Sequence, residues 1–245
     1  MISKHASRIA VTVLIGAALF IVAKVLSGLL VAGVVPSLLT HQAVELVLSL
    51  LAIGILGKWQ FADYGFRLPK VEGFSCGVLV KWGLAALLAI GMGAVATIAI
   101  VLTGAGGNPI VKQLSLPQIV LFIWVFSSTI EEIFTRGFIQ GHLSPLDEVE
   151  VNLLICRVSA PTLVSALFFG AMHLVLFFAG ADLTTIVITV IFTFSLGLLA
   201  GHYRAKSGSL VPAVLLHMLG NVGGVVGGIL VTIATMAITG HLPTP

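Results

Sequence analysis

Long apolar runs fill the chain from its start almost to its end, each broken only by a few polar, Gly or Pro residues. None alternates polar and apolar residues every second position, as a membrane-barrel strand would. About 20 residues of helix cross a bilayer core. On that measure the sequence predicts spans near 9–34, 41–57, 75–103, 117–143, 159–179, 183–200 and 209–238. The last run is interrupted by GNVGGVVGG at 220–228 and reads as a short helix ending near Asn221 followed by another, which makes about eight spans. Pro117, Pro161 and Pro212 fall in first turns, where a missing N–H costs nothing, and Pro36, Pro69, Pro109 and Pro145 fall in loops. Glycines repeating every fourth residue at 220, 224 and 228, and at 223 and 227, point first to close helix packing. The predicted fold is all-α, a polytopic transmembrane bundle. Three amino-terminal spans occupy 1–116, a core plus last helix occupies 117–245, and the whole is one integral-membrane unit.

Composition sharpens this picture. Of 245 residues, 58% are hydrophobic and 9% charged. A soluble domain carries about 25% charged residues, so a soluble enzyme is excluded, and so is disorder. The net charge of +3 does not indicate nucleic acid, because the basic residues are scattered singly at span ends. One set of flanks holds Lys4, Arg8, Lys58, Arg67, Lys70, Arg157, Arg204 and Lys206, and the opposite set holds Lys112. The positive-inside rule then puts the amino terminus in the cytoplasm, and eight spans return the carboxyl terminus there. The first apolar run exceeds a signal-peptide core and lacks a small-residue cleavage site, so it reads as a retained span in the cell membrane. Cys76 and Cys156 do not form a metal-binding spacing, and on the reducing side no disulfide is expected between them. Lys24, inside the first span, has no evident partner.

The informative residues are those that a membrane span should not contain. Glu131, Glu132 and Arg136 lie deep in span four. Three charges at mid-span cost on the order of 8–10 kcal/mol before pairing. Glu132 and Arg136 are four apart in the favourable order for an ion pair, which leaves Glu131 without a partner in its own helix. His173 is the strongly polar residue of span five, with Phe169 one turn earlier. His217 and Asn221 are four apart on span seven and share a face. Taken singly, each motif has a packing explanation. Depth joins them. At about 1.5 Å per residue, Glu131 lies about 18 Å from the cytoplasmic end of its span, His173 about 21 Å, and His217 and Asn221 about 12 and 18 Å.

A carboxylate, two imidazoles and an amide at one depth suit hydrolysis by activated water. Glu131 is the expected general base. His173 would hold or polarise the water. His217 and Asn221 would donate to the oxyanion. Glu132 and Arg136 would support them. A zinc site built on Glu131, His173 and His217 is the competing version, although the HExxH spacing is absent. The metal-free, cofactor-free version is the one preferred.

Glu131-Glu132-x-x-x-Arg136, Phe169-x-x-x-His173 and His217-x-x-x-Asn221, in that order on separate spans, resemble the CPBP family. This family includes type II CAAX prenyl endopeptidases and bacterial relatives linked to bacteriocin processing and immunity. The resemblance covers 117 to about 222, including the stretch Gly201 to Asn221. It implies an intramembrane endopeptidase with a cytoplasm-facing site, Glu131 as principal carboxylate, His173 as its partner, and His217 with Asn221 as the oxyanion site. Thr135 stands where some members, CAAX-processing ones among them, carry an aromatic residue. Prenyl preference is therefore not carried over. The expected partners are a peptide or membrane-protein substrate and the lipid bilayer. Two other classes stay open at this point. One is a transporter or proton relay, suggested by intramembrane Glu, His and Arg and a broken helix. The other is a non-catalytic immunity-type scaffold. Substrate identity and oligomeric state are not readable from the residues.

Overall fold

A computed structural model describes residues 2–70, 76–153 and 157–239. Among the described residues, seven helices are long and apolar enough to cross a membrane. They are α1 (Ile2–Leu30), α2 (Val34–Leu56), α3 (Cys76–Leu102), α4 (Leu116–Gln140), α5 (Ala160–Met172), α6 (Leu183–Ser207) and α7 (Val211–Thr239). A tighter 3₁₀ turn carries α5 on to Phe177. Pro117, Pro161 and Pro212 each sit in a first turn, as expected.

The distribution of side chains is the reverse of a soluble protein's. Leu14, Ile55, Leu87, Ile191 and Ile229 stand exposed, whereas Glu45, Glu132, Arg136 and His217 are buried. Only a hydrocarbon surrounding makes that arrangement favourable. The chain is an integral membrane protein built as a helical bundle.

One expectation about the helices fails. The chain does not break at 220–228; α7 runs through it without interruption. The glycines there serve packing instead. A Cβ at Gly223 would meet the carbonyl oxygen of Ile90, one at Gly227 that of Ala94, and one at Gly93 that of Gly220. The backbones of α3 and α7 thus approach as closely as small residues permit. The eighth span disappears with the break. No eighth span then remains among the described residues, and the expected cytoplasmic carboxyl terminus, which rested on eight spans, loses that support. The broken helix that supported a transport reading is also gone.

This close seam carries a prediction. Gly223→Val should destabilise the bundle by about 1–3 kcal/mol or more, because it forces rigid backbones apart. Gly228 has open space where its Cβ would go, so Gly228→Ala should be neutral or slightly stabilising. Thermal unfolding of the purified variants in one detergent checks both.

The fold also departs from purely helical. Residues Glu150–Asn152 (β1) and Arg157–Ser159 (β2) pair as a short antiparallel ribbon, with Val151 opposite Val158. The ribbon lies between α4 and α5, where the β-branched pair favours extended backbone. The expectation concerning a Cys76–Cys156 disulfide falls outside what is described, because Cys156 is not among the described residues.

The basic flanks gather at one end of the bundle. Arg8 donates to the carbonyl of His142, Arg67 to that of Gly208 and Arg204 to that of Asp63. These bonds tie the start of α1, the end of α4, the end of α6 and the turn after α2 into one polar layer. In the middle of the bundle, α4 packs against α2, α5 and α7. Its Phe134 and Phe138 join Ile53 of α2 and Phe169 of α5 in the main core.

Helix α4 is wound unusually. Ile119–Ser127 and Ile133–Gln140 form π-helical turns, with ordinary α-helix between them at Ser128–Glu132. Such wide turns are rare and cluster at functional sites. Here they flank the two adjacent glutamates.

Candidate active site

Two neighbouring carboxylates on α4 occupy opposite environments. Glu132 is fully buried. Its Oε1 accepts from Arg136 Nη1 at 3.0 Å and lies 3.0 Å from His217 Nδ1. Arg136, also fully buried, donates from the same nitrogen to Thr135 Oγ1 at 2.5 Å. Its guanidinium lies 4.5 Å above the Phe169 ring. The Phe169 ring in turn meets those of His173 and His217 near-perpendicularly, each at 5.2 Å between centroids. Phe169 is therefore the shared packing surface of both histidines and the arginine.

Glu131 is held differently. Its side chain is 18% exposed against 0% for Glu132. Ser127 Oγ donates to its Oε1 at 2.6 Å, and its Oε2 lies 3.9 Å from His217 Nε2. His217 thus stands between the two glutamates, one ring nitrogen toward each. Since a paired carboxylate only accepts, the contact with Glu132 places a proton on His217 Nδ1. His173 Nδ1 lies 2.9 Å from the carbonyl oxygen of Phe169. A carbonyl also only accepts, so this bond fixes the proton on Nδ1 and leaves Nε2 as an acceptor. Asn221 Nδ2 donates to Ser128 Oγ at 2.9 Å, which uses one of its two N–H groups.

These groups converge. Glu131, His173, His217 and Asn221, from three helices, line one cavity of about 280 Å³. Glu132, Arg136 and Phe169 lie behind it and form no part of its lining. Gly220 and Gly224 also line it, so the glycine seam of α7 keeps room there. Among the described residues, no three His, Cys, Asp or Glu side chains converge closely enough to hold a metal ion. Each of His173 and His217 commits its Nδ1 to an oxygen acceptor and keeps Nε2 free of such a bond, which is also how metal-ligating histidines are oriented.

Several site residues escaped the sequence reading. Ser127 and Ser128 position Glu131 and Asn221, and Thr135 bonds both Arg136 and the Glu131 carbonyl. Small hydroxyls in a membrane helix usually bond their own backbone, so they give no distinct signal. His41, Gln42 and Glu45 of α2, with Lys24 of α1, also line the cavity. Here a signal was present. Glu45 and Lys24 are charges inside apolar runs, the same anomaly that singles out Glu131.

The sequence comparison bears on the same segment. Residues 113–223 match the family described as type II CAAX prenyl endopeptidase Rce1-like. This segment is similar to an Rce1-like domain. The match spans α4 to the first half of α7, and so contains every one of the four groups brought together in α4, α5 and α7. It agrees with the resemblance to the CPBP family carried by the three motifs. The matched family is one of CAAX-type intramembrane proteases. No curated protein and no solved structure matches the chain.

Proposed function

We propose that this protein is an intramembrane endopeptidase that hydrolyses a peptide bond in a membrane-associated peptide or protein by a glutamate-type mechanism. One observation carries this reading: of two adjacent glutamates, Glu132 is sealed by Arg136 and His217, whereas Glu131 faces a cavity shared with two imidazoles and an amide.

Glu131 is the general base. It removes a proton from a water molecule as the water oxygen bonds to the carbonyl carbon. His173 Nε2, left free by the bond from Nδ1 to Phe169, accepts the other water hydrogen and aims the lone pair. The carbonyl oxygen becomes an oxyanion. The remaining N–H of Asn221 donates to it, and His217 donates from Nε2 when both of its ring nitrogens carry protons. Collapse breaks the C–N bond, and Glu131 passes its proton to the departing amine. Glu132 and Arg136 do not touch the reacting atoms; they hold His217 in place. The basic end of the bundle supports a cytoplasmic amino terminus in the cell membrane, whereas the cavity extends toward the opposite end, where Asn108, Ile110 and Val111 of the α3–α4 connection line it.

The test compares peptide termini in membranes from cells making the parent protein with those making Glu131→Ala at matched levels. New termini present only with the parent are expected, and they identify substrates directly. Identical termini in the two membranes, with both proteins folded and abundant, would remove the peptidase reading.

A further inference from the structure

The cavity has a second wall that hydrolysis does not use. Lys24 of α1 and His41, Gln42 and Glu45 of α2 line it together with Glu131, His173, His217 and Asn221. Gln42 and Glu45 are each only 3% exposed. The amide of Gln42 is oriented by its bond to the Phe122 carbonyl at 2.9 Å, and its Oε1 then has no donor. Glu45 Oε2 lies 3.8 Å from His41 Nε2, and its Oε1 has no donor either. Two buried acceptor oxygens without donors therefore belong to side chains that line the cavity. A native protein rarely leaves such atoms unsatisfied without a functional reason.

The charges point the same way. Glu132 and Arg136 cancel each other behind the cavity. At the cavity itself, Glu45 and Glu131 are two acids, and Lys24 is one base that makes no ion pair with either among the described residues. With both acids ionised the cavity carries one more negative than positive charge, in a low-dielectric surrounding where an unanswered charge costs several kcal/mol. A ligand bringing one positive charge and several N–H donors answers both deficits.

We propose that this wall is a subsite for a cationic side chain, lysine or arginine, of a membrane-associated peptide, with Glu45 as the charge that receives it and Gln42 as a second acceptor. Calling that peptide a substrate rests on the peptidase reading. The wall belongs to α1 and α2, outside the matched segment 113–223. In this chain the matched segment supplies the cleaving groups, and the amino-terminal helices supply selection.

The test measures binding to the purified full-length protein in lipid nanodiscs. The probe is a 20-residue Leu/Ala-rich peptide with one central lysine, compared with the same peptide carrying acetyl-lysine or leucine there. The parent should bind the lysine peptide about tenfold more tightly than the other two, the scale of one charge-assisted hydrogen bond. Glu45→Gln, which keeps the shape and removes the charge, should abolish that preference by weakening the lysine peptide alone. Equal binding of the three peptides by the parent overturns the proposal without reference to any variant. So does an undiminished preference in folded Glu45→Gln. If Glu45 served only to hold α1 against α2, Glu45→Gln would lower stability and leave the ratio between peptides unchanged, which overturns the proposal. Cleavage of the same peptides by the parent and by Glu131→Ala is scored separately. A lysine preference in binding, with cleavage indifferent to Glu131, supports the subsite and counts against the peptidase.

Discussion

Glu131→Gln should fold as the parent does and lose about a thousandfold in turnover, the scale of a general base removed from a hydrolytic site. The substitution keeps the size and the ability to accept from Ser127. It removes the one feature that matters, an oxygen able to take a proton from water. Stability should change little, because Glu131 opens to the cavity and holds no close ion pair. Its contact with His217 is 3.9 Å, beyond a hydrogen bond. The measurement is the initial rate on any substrate found by terminus comparison, alongside a melting curve. A variant that melts normally and cleaves within a few-fold of the parent would remove Glu131 from the chemistry.

Arg136→Leu should do the opposite and unfold the protein, by about 3–5 kcal/mol. Arg136 and Glu132 are both fully buried and bonded to each other. Removing the cation leaves the Glu132 carboxylate charged in the interior, with His217 as its remaining donor. It also removes the group stacked on Phe169, against which both histidines pack. Replacing both members, Glu132→Leu with Arg136→Leu, should recover much of the loss, because no orphan charge remains. Thermal unfolding of the two single variants and the double variant forms a cycle that isolates the pair. If Arg136→Leu alone melts like the parent, the pair does not hold the site together. The two predictions thus assign neighbouring glutamates to different work. On these predictions Glu131 acts on substrate, and Glu132 holds the scaffold.

The α4 motif was legible because charges in an apolar run are anomalous whatever their surroundings. The same rule applied to Lys24 and Glu45 would have found the second wall. Lys24 stands out by that rule as a charge without a partner in its span, but it and Glu45 stand singly, without the clustering and family pattern of Glu131, Glu132 and Arg136. His217 shows where spacing falls short. Its distance from Asn221 along the helix places both on one face, but it cannot tell that Nδ1 is taken by Glu132, which restricts how the ring donates. The break expected at 220–228 failed for a related reason. Glycines are ambiguous in sequence, since the same residues that weaken a helix in water let two helices meet in a membrane.

The sequence by itself determined that this chain lives in a bilayer, how its helices are spaced, and that Glu131, Glu132, Arg136, Phe169, His173, His217 and Asn221 belong together. The first two follow from segment length and hydropathy, and the third from matching depth along the spans together with the resemblance to the CPBP family. Only the tertiary structure decided which glutamate is sealed and which faces the cavity, that α7 is unbroken, and that α1 and α2 bring Lys24, His41, Gln42 and Glu45 to the same space. Those are contacts between segments far apart in the chain. They depend on how closely α3 and α7 approach and on which turns of α4 widen, and neither quantity is encoded in the pattern of any one helix.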